Sequence, residues 1–203
     1  MNHVRSDLVM SALLETAPFA PVSDILIAAA AEIRRTKVPI LLLAAPSIEG
    51  SLSLSPIEAA LVDSGIPYRR RFKLEAPSEG SWIHILGSGD ETGPRIETNP
   101  FRLTIAGKIV KGLTGHRGDE RKGLLTAIAQ CNVLGQLISP QGLRIRRMKP
   151  WVLSGNWLHS SLDTTYDPVF TAIRDQLVEE GIIRVVCLPE VPEPNVSIHN
   201  WID

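Results

Sequence analysis

Apolar residues fall into short runs separated by proline, glycine and polar stretches. Ile40 to Ala45 is apolar at every position, the pattern of a central parallel strand covered on both faces. Upstream, Leu8, Val9, Ala12 and Leu13 share one side of a predicted helix from Ser6 to Thr16, which Pro18 and Pro21 end. Ser23 caps a second helix running through Arg35, with Ile25, Leu26, Ala29 and Ile33 inward. After the strand, Pro46 to Ser55 is predicted as loop. Ser55, Pro56 and Glu58 then form a capping box with proline in the first turn, and Gly65 closes that helix. Tyr68 to Leu74 and Trp82 to Leu86 are predicted strands, the first with Arg69 and Arg71 on one face.

The second half is less regular. Gly87 to Asn99 is predicted as loop, and Phe101 to Leu113 alternates weakly, as a strand pair or irregular chain. Asp119 to Leu137 is the longest helical pattern, with Leu124, Leu125, Ile128, Val133, Leu134 and Leu137 on its buried side. Ser139 to Gly142 is a turn, and Leu143 to Trp151 is basic and extended. Trp157 to Thr165 and Pro168 to Glu180 are helical, Gly181 ends the second, and Ile182 to Leu188 is a final strand. The order predicts a three-layer α/β fold: a mostly parallel sheet with helices on both faces. One domain spans 1–188 and a proline-rich tail spans 189–203. Val196, Ile198, Trp201 and Ile202 in that tail are apolar anchors that fit either a partner or the parent domain.

A chain of 203 residues buries a real core, and 44% hydrophobic with 21% charged residues is ordinary for a globular protein. A net charge of -1 argues against a wholly basic nucleic-acid binder and leaves local basic patches open. Cys131 and Cys187 lie far apart in apolar surroundings, as free thiols do in a reducing compartment. No apolar run approaches the ~18 residues of a membrane span, and the start of the chain has no secretory pattern. The expectation is a cytoplasmic protein with no membrane association.

Ligands gather at the carboxyl ends of parallel strands, so chemistry is expected in the loop after Ile40 to Ala45. That loop offers one carboxylate, Glu49, and no His, Asp, Lys or Cys. The run from Gly87 through Gly93 lacks the Gly-Lys-Ser/Thr of a Walker loop. It is one residue too long for a dinucleotide fingerprint, and Pro94 follows where a helix should. It reads as a surface loop or an anion site. Glu49 and Asp90 follow neighbouring strands, but two-metal hydrolysis needs more Asp or His ligands, so no metal is expected. His3, His84, His116, His159 and His199 show no catalytic spacing; His84 reads as a core histidine, and His116 sits in a Gly-rich turn. There is no GxSxG elbow, and no catalytic residue or cofactor is assigned.

Two sets of binding candidates remain. Glu49, Gly50, Ser51, Gly87, Ser88, Gly89, Asp90 and His116 would form a nucleotide or phosphometabolite site, with hydroxyls of Ser47, Ser51 and Ser53 toward phosphate. Arg69, Arg71, Arg144, Arg146, Arg147, Lys149 and Trp151 combine charge with an aromatic, as single-stranded nucleic-acid sites do. A solvated basic face, or one that meets an acidic partner, explains the same arginines.

The order of helix, apolar strand, loop, a helix running into SGIPYRRRF and a strand ending in Gly-Ser-Gly resembles the amino-terminal part of RecJ-like DHH phosphoesterases, especially the archaeal GINS-associated kind. Downstream, Leu158, Leu162 and Asp167-Pro168 within Trp157 to Pro168 look like that family's Leu, Leu, Asp/Asn-Pro pattern, and Asp119 to Leu137 like the helix before it. The resemblance covers roughly two-thirds of the chain. The family's Asp-x-Asp falls on Ser47 to Ser51, where only Glu49 is acidic; its next aspartate falls near Asp90; Asp-His-His has no counterpart. The chain is also too short for the family's second, substrate-clamping domain. The resemblance therefore implies a truncated DHH-type amino-terminal domain without catalysis. Its role would be a replication scaffold that binds GINS and, through it, MCM in a helicase complex, with single-stranded DNA as a further contact. The alternatives are a phosphoesterase or nucleotide-binding enzyme on the same fold, or a free-standing single-stranded nucleic-acid binder.

Overall fold

The computed structural model describes residues 13–87, 89–114, 120–158 and 167–185. Its elements run α1 (Ala20–Thr36), β1 (Ile40–Ala44), α2 (Ile48–Asp63), β2 (Tyr68–Phe72), β3 (Trp82–Ile85), β4 (Arg95–Thr98), β5 (Phe101–Ile105), β6 (Lys108–Thr114), β7 (Glu120–Leu125), α3 (Ala127–Ile138), α4 (Leu143–Met148), α5 (Trp151–Trp157) and α6 (Pro168–Glu179). The main sheet has five strands in the order β2-β1-β3-β5-β4. Every pairing in it is parallel except β4 with β5, and β6 and β7 form a separate antiparallel hairpin. The α/β class, with a mostly parallel sheet flanked by helices, is as the sequence predicts.

Register divides the sheet residues between two faces. Leu42, Ile83, Leu103 and Ile96 lie side by side on the first face; Leu43, His84 and Thr104 lie on the second, as do Leu41, Trp82 and Arg102. From β1 the chain crosses one way to β2 and then back past β1 to β3. Right-handed crossovers in opposite directions must use opposite faces. Helix α2 accordingly packs on the first face and the 73–81 connection on the second. α1, α2 and α3 bury their apolar sides in one core with the first face. On the second face Leu43 is buried apart from that core. There the Trp82 indole donates to the Pro77 carbonyl at 3.1 Å, and the Arg102 guanidinium donates to the Ser78 carbonyl and lies over the Trp82 ring. His84 is buried beside Trp82, and desolvation lowers its pKa against a hydrogen bond to the Leu74 backbone.

Helix α3 is buried on nearly every side and packs against α2, α1, α4 and α5. Thr126 caps it, accepting from the Ala129 amide at 3.1 Å and donating to Asn156 Oδ1 at 3.2 Å.

Several local expectations change. Helix α2 begins at Ile48, not Ser55: Ser47 Oγ accepts from the Gly50 amide at 3.0 Å. Most of the expected loop from Pro46 to Ser55 is therefore helix. Pro56 sits inside it, and the Ser55 hydroxyl bonds back to Ser51 O at 2.7 Å. Likewise Pro21 opens α1 rather than ending a helix, and Ser23 lies within it. The pattern at 119–137 splits into strand β7 and helix α3 around the Thr126 cap, and the expected loop at 87–99 contains β4. Phe101 to Leu113 is two strands, β5 and β6.

The basic stretch from Leu143 to Trp151 is helical rather than extended, and Ile182 to Val185 forms no strand. Residues 1–12, 159–166 and 186–203 lie outside the described residues. With them go most of the first predicted helix, the Trp157 to Thr165 helix, the end of the last strand, Cys187 and the tail.

Helix α4 explains the change at 143–151. Its own cap residue, Gly142, supplies no side chain. Asp63, from the end of α2, accepts from the amides of Arg144 at 2.9 Å and Ile145 at 3.3 Å, and from the Arg144 guanidinium at 2.8 Å. Desolvation pushes the Asp63 carboxyl up, but these hydrogen bonds together hold it below its ordinary value. A carboxyl with a lowered folded pKa stabilises above its unfolded pKa, about 3.9, and loses that contribution as pH falls through the folded value. Asp63→Asn is expected to lose about 1–2 kcal/mol at pH 7, as a lost cap does. Urea titrations at decreasing pH should show the gap from wild type closing below about pH 4. A gap that persists undiminished in acid would contradict this role.

Candidate functional site

β1 is flanked by β2 and β3, and the chain leaves β1 and β3 toward opposite edges. The crevice at the carboxyl ends of these two strands is thus the topological switch point, where open α/β sheets place ligands. Glu49, Gly87, Gly89, Asp90, Gly107 and Thr126 are among its lining residues. The first turn of α2 contributes Glu49, and the chain after β3 contributes Gly87 through Glu91. The β5–β6 joint contributes Gly107, and the start of α3 contributes Thr126 and Ala127. Glu49, Gly87, Gly89 and Asp90, expected from sequence to lie together, are brought together.

Their chemistry is largely committed to local structure. Asp90 Oδ1 accepts from the Thr92 hydroxyl at 2.6 Å and its amide at 3.0 Å, which lowers the Asp90 pKa. The Ser47 hydroxyl caps α2, the Ser51 hydroxyl bonds back to Ser47 O at 3.0 Å, and Ser53 is fully buried. The serines expected to face phosphate therefore serve the helix. Gly50 lies against the end of β1, where a Cβ would run into the Ala45 carbonyl oxygen, so its part is close packing of helix on strand. No cluster of three His, Cys, Asp or Glu with metal-site geometry occurs among the described residues. The crevice encloses ≈ 250 Å³ of non-atom space, part of it open to solvent. Ser88 and His116 lie outside the described residues.

The basic candidates divide between elements. Arg69 and Arg71 are exposed on the edge strand β2. Arg144, Arg146 and Arg147 are exposed on α4, where Asp63 engages Arg144 and Gln141 engages Arg146. Lys149 is paired with Glu180 at 2.5 Å, both largely buried. Trp151 opens α5 and is 56% exposed. The expected line of extended arginines beside an aromatic is replaced by short helices, and Lys149 is withdrawn from it.

A second cavity, ≈ 410 Å³ of free space open to solvent, is lined by Phe19, Asn132, Gln136, Lys149, Ile173 and Glu180 among others. Sequence reasoning missed it because its walls come from separate helices. Its polar groups satisfy one another: Gln136 donates to Asn132, and Gln176 and Lys149 donate to Glu180. Cys131, inside α3, is a buried free thiol that burial pushes well above the ordinary thiol pKa. No described helix is long and apolar enough to cross a membrane. Comparison with known proteins finds no matching family model, curated protein or solved structure.

Proposed function

We propose that the chain is a non-catalytic cytoplasmic replication factor of the RecJ-like type, a scaffold that binds GINS and through it MCM. The observation that supports this reading is what occupies the switch-point crevice. Where the resemblance places Asp-x-Asp, Ser47 caps a helix, Gly50 packs on β1, and Glu49 is the only acid. Where it places the next aspartate, Asp90 is tied to Thr92. The position that would hold catalytic metal is built as a helix start.

Two measurements test it. Purified protein with manganese and labelled single-stranded DNA is expected to give no cleavage above a buffer control. Cleavage that Glu49→Ala and Asp90→Ala abolish would refute the reading. Mixed with the GINS complex from the same source at micromolar concentration, the chain is expected to co-elute on gel filtration; separate elution removes the partner claim.

The rival reading, a nucleotide or phosphometabolite site, draws on the meeting of Glu49, Gly87, Gly89 and Asp90 in one crevice. Saturable nucleotide binding lost on Glu49→Ala would favour it.

A further inference from the structure

Strand β2 is one edge of the main sheet, and its sequence is Tyr68-Arg69-Arg70-Arg71-Phe72. Its backbone orientation follows from two hydrogen bonds to β1. The Pro67 carbonyl accepts from the Ile40 amide at 3.1 Å, and the Lys73 amide donates to the Ala44 carbonyl at 2.8 Å. In a parallel pair the residues that bond a given neighbour alternate. Residues 67, 69, 71 and 73 therefore face β1. The N–H and C=O groups of Tyr68, Arg70 and Phe72 point outward, with no bonding strand beyond them among the described residues. At the opposite edge, β4 packs against α1.

Side chains on the two sides of this edge differ. On the face shared with α2 are Tyr68, Arg70 and Phe72. Arg70 is held by Glu58 at 3.2 Å and lies over the ring of Phe72, a residue that is 42% exposed. On the other face are Arg69 and Arg71, both exposed and without an ion-pair partner among the described residues. Exposed edges are usually blunted by charge, a bulge or a covering element. Here charge is the device, and it is of one sign. Two copies pairing β2 against β2 would oppose arginine with arginine, which is unfavourable. The same charge favours an incoming strand that carries carboxylates at alternate positions.

We infer that the β2 edge is a docking site for an extended protein segment of alternating apolar and acidic residues, added to the sheet as a further strand. The apolar residues lie beside Tyr68 and Phe72, and the carboxylates beside Arg69 and Arg71. Backbone hydrogen bonds to Tyr68, Arg70 and Phe72 supply affinity, and the arginines supply selectivity. This holds whichever protein contributes the segment, and it does not depend on the replication reading.

The probe is a short fluorescein-labelled peptide of alternating valine and glutamate, titrated into the intact chain with anisotropy as readout. Saturable binding is expected, with a valine–lysine peptide showing none. Arg69→Glu combined with Arg71→Glu should weaken binding on the order of tenfold, from two cross-strand attractions turned repulsive. Unchanged circular dichroism and urea midpoint will confirm that the variant folds. In amide hydrogen exchange by NMR, bound peptide should slow Tyr68, Arg70 and Phe72 and leave Arg69 and Arg71, already bonded to β1, unchanged. Absence of binding, equal binding of the lysine peptide, full affinity in the double variant, or no added protection at those three amides would each overturn the proposal.

Discussion

Gln130→Leu is expected to lower the free energy of unfolding by about 2–3 kcal/mol. Gln130 is fully buried in α3, and its Nε2 donates to the carbonyls of Ala106 at 2.7 Å and Leu125 at 3.0 Å. These carbonyls close the end of β5 and the end of β7, so one amide ties the sheet and the hairpin to the central helix. Leucine keeps most of the volume and removes both donors. Each buried carbonyl left bare costs roughly 1–3 kcal/mol, partly offset because Gln130 Oε1 itself has no partner in its buried position. Equilibrium urea unfolding measures the loss. A change under about 0.5 kcal/mol would mean that solvent reaches both carbonyls at no cost.

Gly135→Ala is expected to destabilise by about 1–3 kcal/mol, against the helix-propensity trend. In an open helix the same change gains up to about 1 kcal/mol. At Gly135, however, α3 crosses α2 so closely that a Cβ would stand 2.6 Å from the Pro56 carbonyl oxygen and 2.9 Å from Ile145 Cδ1. The backbone contact cannot swing aside as a side chain would. Either the two helices separate or the new methyl is strained, and both loosen the largest helix contact in the core. The sign is the test: a higher thermal midpoint in the variant would show that the crossing opens freely.

How much of this was legible depended on where each determinant lies. β1 could be read directly, because a strand covered on both faces is apolar throughout, and β3 nearly so, with His84 its one polar position. Helix α6 was readable because its cap and first-turn proline, Asp167 and Pro168, stand next to each other. The start of α2 is hidden because Ser55-Pro56 imitates a cap so well, while the real cap at Ser47 is followed by a glycine and alternating serines, which are weak helix formers. The strand–helix break at Thr126 was hidden because Leu124, Leu125 and Ile128 fit a helical period as well as a strand end. Helix α4 was not readable, since its cap comes from Asp63, 81 residues away in sequence.

The site divides the same way. Glu49 and Asp90 were foreseeable neighbours because each follows a parallel strand near the switch point. Gly107 and Thr126 enter the crevice from a strand joint and a helix cap that carry no local signal of a site. The free edge of β2 had a signal, its run of arginines, but that run names a charged surface and not an open hydrogen-bond ladder.

The position of α3 has a consequence for synthesis. All five strands of the main sheet precede it in the chain, yet it fills the middle of the core that covers them. A nascent chain that has reached Leu125 holds the complete sheet with α1 and α2 but lacks the helix against which both of them pack. Until α3 emerges from the ribosome, the apolar sides of α1 and α2 that it covers stay exposed, a surface that invites aggregation. A premature stop in this interval leaves an aggregating fragment, so the chain must be made past α3 before any of it is safe.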